Sequence, residues 1–398
     1  MAETETTTES WGSRLGGSIR GVLIGGALFI AGFPVLFWNE GNSVKTAKAI
    51  DEGEGACISL ESNEKVDPEM NGKLVHMSGK ADTKDVLTDD TFGISVTAIR
   101  LERHVEMYQW VEKTHSRKKK KLGGSEETET TYTYDPEWVD HVIDSSKFNP
   151  NKSQGRVNPG AMEFESNKLL ASNVSFGAFR LAPDQIARIG SSKDYGFATN
   201  FVCKLARVKI SEKMIYVPNA ETRGNTNNVR DVLTQPRIGD MRVTFRVIEP
   251  HEISLIAKQH GDTFVAYTAK NGKRLSYLAE GIKDAAAMFE SARTGNAIFT
   301  WLFRLGGFLM MYFGLSMVFR PLSVLADVLP ILGDIVGMGM GLVAGLISLI
   351  CALVTIAIAW IFFRPILGII LLVVAGGLLF LLVRKHLAAK KAAAVAVN

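Results

Sequence analysis

The residues best suited to chemistry are few. His104 and Glu106 stand two apart, which puts them on one face wherever the chain is extended. His76, His115 and His141 could approach that face as metal ligands or as partners in proton transfer. A zinc site needs three or four ligands at suitable spacing. The helical H-E-x-x-H and paired C-x-x-C patterns are absent, as are a G-x-S-x-G elbow, a phosphate-binding loop and a dinucleotide fingerprint. The residues therefore predict a solvated strand face, with no catalytic, cofactor-binding or metal-binding residue and no cofactor.

The element carrying His104 reads clearly. Over residues 96–111, Ile99, Leu101, Val105, Met107 and Val111 point one way, while Arg100, Glu102, His104, Glu106, Tyr108 and Trp110 point the other. Such period-two alternation marks a half-buried strand. Residues 130–138 form a second strand after a charged loop, giving a long hairpin. Its tip holds Arg117, Lys118, Lys119, Lys120 and Lys121, followed by Glu126, Glu127 and Glu129. The acids can neutralise the bases across the hairpin, so the tip is expected to be self-paired and solvated. Further strands are predicted at 207–217, 241–248, 253–259 and 263–268, and helices at 183–189 and 282–293. Glycines, among them Gly79, Gly155, Gly224, Gly239 and Gly261, mark the turns. No internal repeat is evident.

The 398 residues carry a net charge of +4, too small to argue for nucleic acid. Their mean hydropathy of +0.10 hides a polar middle between two apolar ends. A bilayer core about 30 Å thick takes about 20 helical residues. Four crossings fit, at 17–38, 297–319, 335–363 and 365–384. A 1–16 cytosolic tail, disordered over its first ten residues, precedes the first crossing, and a basic tail at 385–398 follows the last. A strand-rich α+β domain at 39–296 separates the first and second crossings. Residues 320–334, with Asp327 and Asp334 around Pro330, suit an interfacial amphipathic segment. Asp334 would then sit near the start of the next helix, favoured by its dipole. Arg304 lies about 10 Å into its helix, shallow enough for its guanidinium to snorkel to the headgroups.

Gly17, Gly21 and Gly25, and again Gly337, Gly341 and Gly345, recur at four-residue spacing, a pattern that lets helices approach closely. Cys57 and Cys203 could pair in an oxidising compartment. Basic residues near the membrane ends number seven on the side of the termini (Arg14, Arg20, Arg320, Arg384, Lys385, Lys390, Lys391). The other side has five (Lys45, Lys48, Lys283, Arg293, Arg364). That bias places the termini in the cytosol and residues 39–296 across the membrane.

Arg103-His104-Val105-Glu106-Met107-Tyr108-Gln109-Trp110 resembles a signature of the transmembrane protein 43 (LUMA) family. Gly239-Asp240-Met241-Arg242-Val243, Thr300-Trp301 with Arg304, and Trp360 with Arg364-Pro365 are similar to that family's pattern, and the likeness runs over nearly the whole chain. The resemblance implies a four-pass protein whose large domain faces the lumen or periplasm. It also implies residence in the endoplasmic reticulum and inner nuclear membrane in a eukaryote, or the inner cell membrane in a bacterium. Animal members self-associate and are linked to emerin and lamins, and the family has no established catalytic residues. The expectation is a non-enzymatic membrane scaffold whose partners are the lipid bilayer, further copies of itself and other membrane or envelope proteins. The alternative is a membrane-anchored enzyme or sensor using the His104/Glu106 face.

Overall fold

The computed structural model describes residues 3–206, 208–219 and 236–366. They fall into two compact units. One comprises Met1–Thr7, Asp51–Arg117 and Thr128–Glu290, and the other Thr8–Ile50, Lys118–Glu127 and the chain from Ser291.

Among the described residues the first unit is built mainly of strands, with one short α-helix, α2 (Pro183–Ile186), and two 3-10 turns at Pro68–Met70 and Ser145–Lys147. In chain order the strands begin with β1 (Glu3–Glu9), β2 (Ile58–Ser59), β3 (Leu74–Thr83), β4 (Val86–Asp89), β5 (Ile94–Thr97), β6 (Arg100–Lys120) and β7 (Glu126–Val139). Then come β8 (Asn167–Leu170), β9 (Val174–Phe176), β10 (Phe179–Arg180), β11 (Lys193–Asp194), β12 (Lys209–Ile210) and β13 (Met214–Val217). The last are β14 (Met241–Ile248), β15 (His251–His260), β16 (Thr263–Val265), β17 (Tyr267–Thr268), β18 (Arg274–Leu275) and β19 (Tyr277–Glu280). One sheet runs β1-β7-β6-β14-β13-β12, with β8 against β6 and β11 against β14; a second runs β10-β9-β3-β15-β16, with β19 on β15 and β2 on β3.

Each sheet covers its own core. Leu101, Val105 and Met107 of β6 pack with Val243 and Phe245 of β14, Ile215 and Phe92. Val75 and Met77 of β3 pack with Leu255, Phe176, Phe179 and Phe264. The alternation read at Leu101, Val105 and Met107 is therefore the inward face of β6, while Ile99, just before the strand, packs in the core of the second sheet. β3, the central strand of the second sheet, escapes a search for alternation because Leu74, Val75, His76 and Met77 are all buried in succession.

One expectation is corrected here, and one pairing that the sequence left open is decided. The N-terminal Thr/Glu stretch is not a disordered tail: it forms β1, the edge strand beside β7, where Tyr132 donates to Glu5 at 3.3 Å and Asn149 at 3.0 Å. Its alternating threonines suit an extended edge once a neighbour is present to pair with. Nor are Cys57 and Cys203 joined, since both are free thiols. Burial pushes the Cys57 thiol up to about 11.

Among the described residues the second unit holds three long helices, α1 (Trp11–Ala56), α3 (Ala285–Ala326) and α4 (Pro330–Phe363), each long and apolar enough to cross a membrane. Their 46, 42 and 34 residues correspond to roughly 70, 60 and 50 Å, well beyond the bilayer core. Leu23, Phe299, Met338 and Leu342 are exposed, as lipid-facing side chains should be. Residues 320–334 do not form a helix of their own. α3 continues through Pro321 to Ala326, a short turn follows, and α4 begins at Pro330, whose fixed φ suits a first helical position. The expected fourth crossing and basic tail lie, from residue 367 onward, outside the described residues, as does Gly224.

Close helix contact follows only part of the glycine set that spacing suggested, Gly25 and Gly337, and adds Gly32, Gly307 and Gly314. A Cβ on Gly25 would lie 2.5 Å from the Gly314 carbonyl oxygen, and one on Gly314 would lie 2.6 Å from that of Gly25. Gly32 and Gly307 repeat this seven residues away, against Met311 and Leu36. Gly17 meets nothing within 4 Å, and Gly21 only Met317 at 3.7 Å. On α4, Gly337 faces the Ser323 hydroxyl, while Gly341 and Gly345 face Tyr312 at ordinary van der Waals distance. The α1–α3 seam therefore uses a seven-residue repeat.

Candidate functional sites

The two resembling stretches of the strand unit lie side by side. β14 runs antiparallel to β6, with Met241 opposite Met107, Arg242 opposite Glu106 and Val243 opposite Val105. Arg242 grips Glu106 at two points, Nε to Oε2 at 2.5 Å and Nη2 to Oε1 at 3.0 Å. Its guanidinium also lies 4.9 Å from the Trp138 ring, which packs against Tyr108 (5.1 Å) and Tyr216 (5.7 Å). The Tyr216 hydroxyl donates to Asp240 at 2.9 Å, and that buried carboxylate also accepts the backbone N–H groups of Asn219 and Arg237. Burial and the Asp240 charge both push the Tyr216 pKa well above its ordinary value.

The remaining signature residues have local duties. Arg103 reaches buried Asp89 at 2.7 Å. Gln109 is fully buried, donating to His141 O and accepting from Ile143 N. The Trp110 backbone is held in both directions by Asn158, and its ring lies 5.3 Å from the Arg156 guanidinium.

The histidines expected to converge on this face are dispersed. His104 is exposed opposite Thr244, in a groove of about 600 Å³ that it shares with Arg103, Lys168 and Arg246. His76 is buried on β3 and bonded to Lys283 O at 2.9 Å, and His141 pairs with Asp140. Among the described residues, no three His, Cys, Asp or Glu side chains are grouped to hold a metal ion. Glu106 is tied to Arg242 rather than to a histidine. Arg242, Trp138 and Tyr216 went unnoticed as its neighbours because nothing in local spacing links residues 106, 138, 216 and 242.

The helix unit holds a second cluster. Arg304 turns inward among the helices. It forms a two-point ion pair with Glu40, at 2.6 and 2.9 Å, with the glutamate side chain 1% exposed. Its guanidinium lies 4.7 Å from the Trp301 ring and 5.7 Å from Trp360, whose indole N–H donates to Glu40 at 2.8 Å. Asn39 donates to Thr300 O, and the Thr300 hydroxyl donates to that of Ser43. One carboxylate thus ties α1 to α3 and α4. A buried charge is tolerated only when paired and hydrogen-bonded, and Glu40 is both. The signal available in sequence was an acid directly after an apolar run, with Arg304 inside another.

A third cluster lies where α1 begins. Asp327, 1% exposed, accepts from Arg14 at 2.5 Å and from Lys120 at 2.7 Å, and Lys120 reaches Asp334 at 2.8 Å. The tip pairs with itself as expected, Lys118 with Glu126 and Lys121 with Glu127, but also with the helices. Burial works against the Lys120 ammonium; its bonds to Asp327 and Asp334 outweigh that and leave its pKa raised.

Known proteins match this layout. The family model described as Transmembrane protein 43 matches residues 107–365. The human protein of that name is 32% identical over 90% of this chain and 88% of its own length, and the rat protein 32% over 89% and 87%. A fruit-fly protein named Transmembrane protein 43 homolog is 28% identical over 74% and 75%. No solved structure matches. Arg242, Arg304 and Trp360 fall within the matched span, Glu106 stands one residue before it, and the chain belongs to the transmembrane protein 43 family.

Proposed function

We propose that this membrane protein is a non-enzymatic scaffold. It organises an envelope or endomembrane system through self-association and through recognition of other membrane proteins by its strand unit. The observation that carries this reading is the signature face. Its best acid–base candidate, Glu106, is held in an ion pair with Arg242, while Tyr108, Trp110 and Trp138 stand half-buried around it. Aromatic rings interleaved with arginine supply large, rigid contact area and are enriched in the hot spots of protein interfaces. In a eukaryotic cell the setting is the endoplasmic reticulum or inner nuclear membrane, and in a bacterium the inner cell membrane.

Crosslinking and copurification from native membranes test this. The wild type should retain partners and oligomers that Trp138→Ala loses, with membrane insertion unchanged. An identical partner set for both proteins would overturn the role of this face. A second reading, ligand sensing, rests on the groove at His104, which Arg246 lines together with Glu102 and with Arg103 and Lys168, already paired with Asp89 and Glu102. Anion-dependent thermal stabilisation lost in His104→Ala and Arg246→Ala would support it.

A further inference from the structure

We infer that the bilayer's hydrocarbon core covers α1 from Arg20 to Trp38 and α3 from Trp301 to Arg320. Trp38 and Trp301 dock in the phospholipid headgroup layer on the side away from the N-terminus. The Glu40–Arg304 pair lies at that boundary, and beyond it α1 and α3 run on together into water.

Length carries this first. Arg20 and Trp38 stand 18 positions apart on α1, and Trp301 and Arg320 stand 19 apart on α3. At the helical rise both spans come to about 27–29 Å, close to a hydrocarbon core of about 30 Å. A wider set of markers agrees. Arg14 to Glu40 on α1, Trp301 to Asp327 on α3 and Asp334 to Trp360 on α4 are each 26 positions. That is about 39 Å, near the roughly 40–45 Å of a bilayer with its headgroups. Side chains join each level across the helices: Arg14 meets Asp327 at one, and Glu40 meets Arg304 and Trp360 at the other.

Charge gives the same limits. Within residues 21–37, 302–319 and 335–359, Arg304 is the only Asp, Glu, Lys or Arg. It stands three positions inside Trp301, about 4.5 Å in, where Glu40 neutralises it. Arg20 and Arg320 are both exposed. Their long stems can lie along lipid chains while the guanidinium groups reach the opposite headgroups.

The aromatic residues fix the outer level. Trp38 is 58% exposed and Trp301 66%, so neither ring is there to fill the helix core. An indole has an apolar body and a polar N–H, which favours the headgroup layer. Trp38 packs against Phe303 at 6.0 Å and Trp301 against Arg304 at 4.7 Å, so both rings stand beside the ion pair. Past this level the contacts between α1 and α3 turn polar. Asn39 donates to Thr300 O and Asn296 to Ser43 O, both at 3.1 Å, and Thr300 donates to the Ser43 hydroxyl at 2.7 Å. Lys48 and Thr294 face outward there. Residues 39–50 and 291–300 thus form a hydrated two-helix stalk. This inference holds whether or not the strand unit recruits partners.

Depth measurements on the full chain in phosphatidylcholine vesicles test it. The Trp38 and Trp301 contributions to fluorescence are the differences from Trp38→Phe and Trp301→Phe. Bromine placed on the lipid chain near the glycerol should quench each at least twofold more than bromine near the methyl end. Stronger quenching by the deep bromine, or quenching by neither, would overturn the docking. With the native cysteines replaced by serine, nitroxides at Lys48→Cys and Thr294→Cys should collide mainly with a water-soluble nickel chelate. Those at Ile30→Cys and Phe313→Cys should collide mainly with oxygen. A lipid-buried label at 48 or 294, or a hydrated one at 30 or 313, would overturn the boundary.

Discussion

Arg242 lies directly opposite Glu106 on neighbouring antiparallel strands, and the two close a two-point ion pair beneath the Trp138 ring. The pair joins two stretches of sequence more than a hundred residues apart. Both side chains keep some exposure, 33% for arginine and 19% for glutamate, so solvent screens part of the attraction. A double-mutant cycle of Glu106→Gln and Arg242→Ala should give a coupling of about 1–2 kcal/mol, above the usual surface pair and below a buried one. Chemical denaturation read by tryptophan fluorescence measures it, and strictly additive variants would show that the pair contributes nothing.

The Glu40–Arg304 pair should be costlier to break. Arg304→Met alone leaves a buried carboxylate facing an apolar side chain, a change worth about 3–5 kcal/mol. Glu40→Leu combined with Arg304→Met removes both charges and should restore most of the lost detergent melting temperature. Equal damage from the single and double variants would mean that the Trp301 and Trp360 contacts, rather than charge, hold the helices together.

The glycines should separate by contact rather than spacing. Gly25→Ala drives a methyl against the Gly314 carbonyl and should lower stability by about 1–3 kcal/mol. Gly17→Ala meets open space and should be neutral or slightly stabilising in its helix. Gly341→Ala fits beside Tyr312, whereas Gly341→Leu must displace that ring and should lower the melting temperature. Melting curves of the four variants decide the order.

Acid should weaken the strand unit partly through Glu280. Burial tends to raise its pKa, but the Gly190 N–H at 2.6 Å and bonds from His251 and Ser191 outweigh that, holding it below the ordinary 4.5. A depressed folded-state pKa adds stability that is fully present above the unfolded value and disappears as pH falls through the folded one. The deficit of Glu280→Gln relative to wild type should therefore be constant above about pH 5 and shrink below pH 4.5. Urea midpoints at pH 7, 5 and 4 measure it, and a deficit that grows on acidification would reverse the sign.

Local pattern alone determined a good deal of this protein. Alternation along residues 101–107 marked the inward and outward faces of β6, because side chains on a strand repeat every two residues. Apolar length marked the three described helices, because the bilayer fixes how many residues must be dry. The resembling stretches at 103–110 and 239–243 were visible too, though not that they were neighbours. Tertiary structure decided the partners. β3 is buried on successive residues and so carries no period, and the Thr/Glu stretch at the N-terminus becomes a strand only because β7 offers it an edge. Charge carries no address in sequence: Arg304 could have reached water, and Asp327 could have stood at an interface. Each instead meets a counter-ion from a remote segment, Glu40 for one and Arg14 and Lys120 for the other. A desolvated charge is stabilised by whatever opposite charge folding brings within about 3 Å, and that proximity is a property of the packed chain.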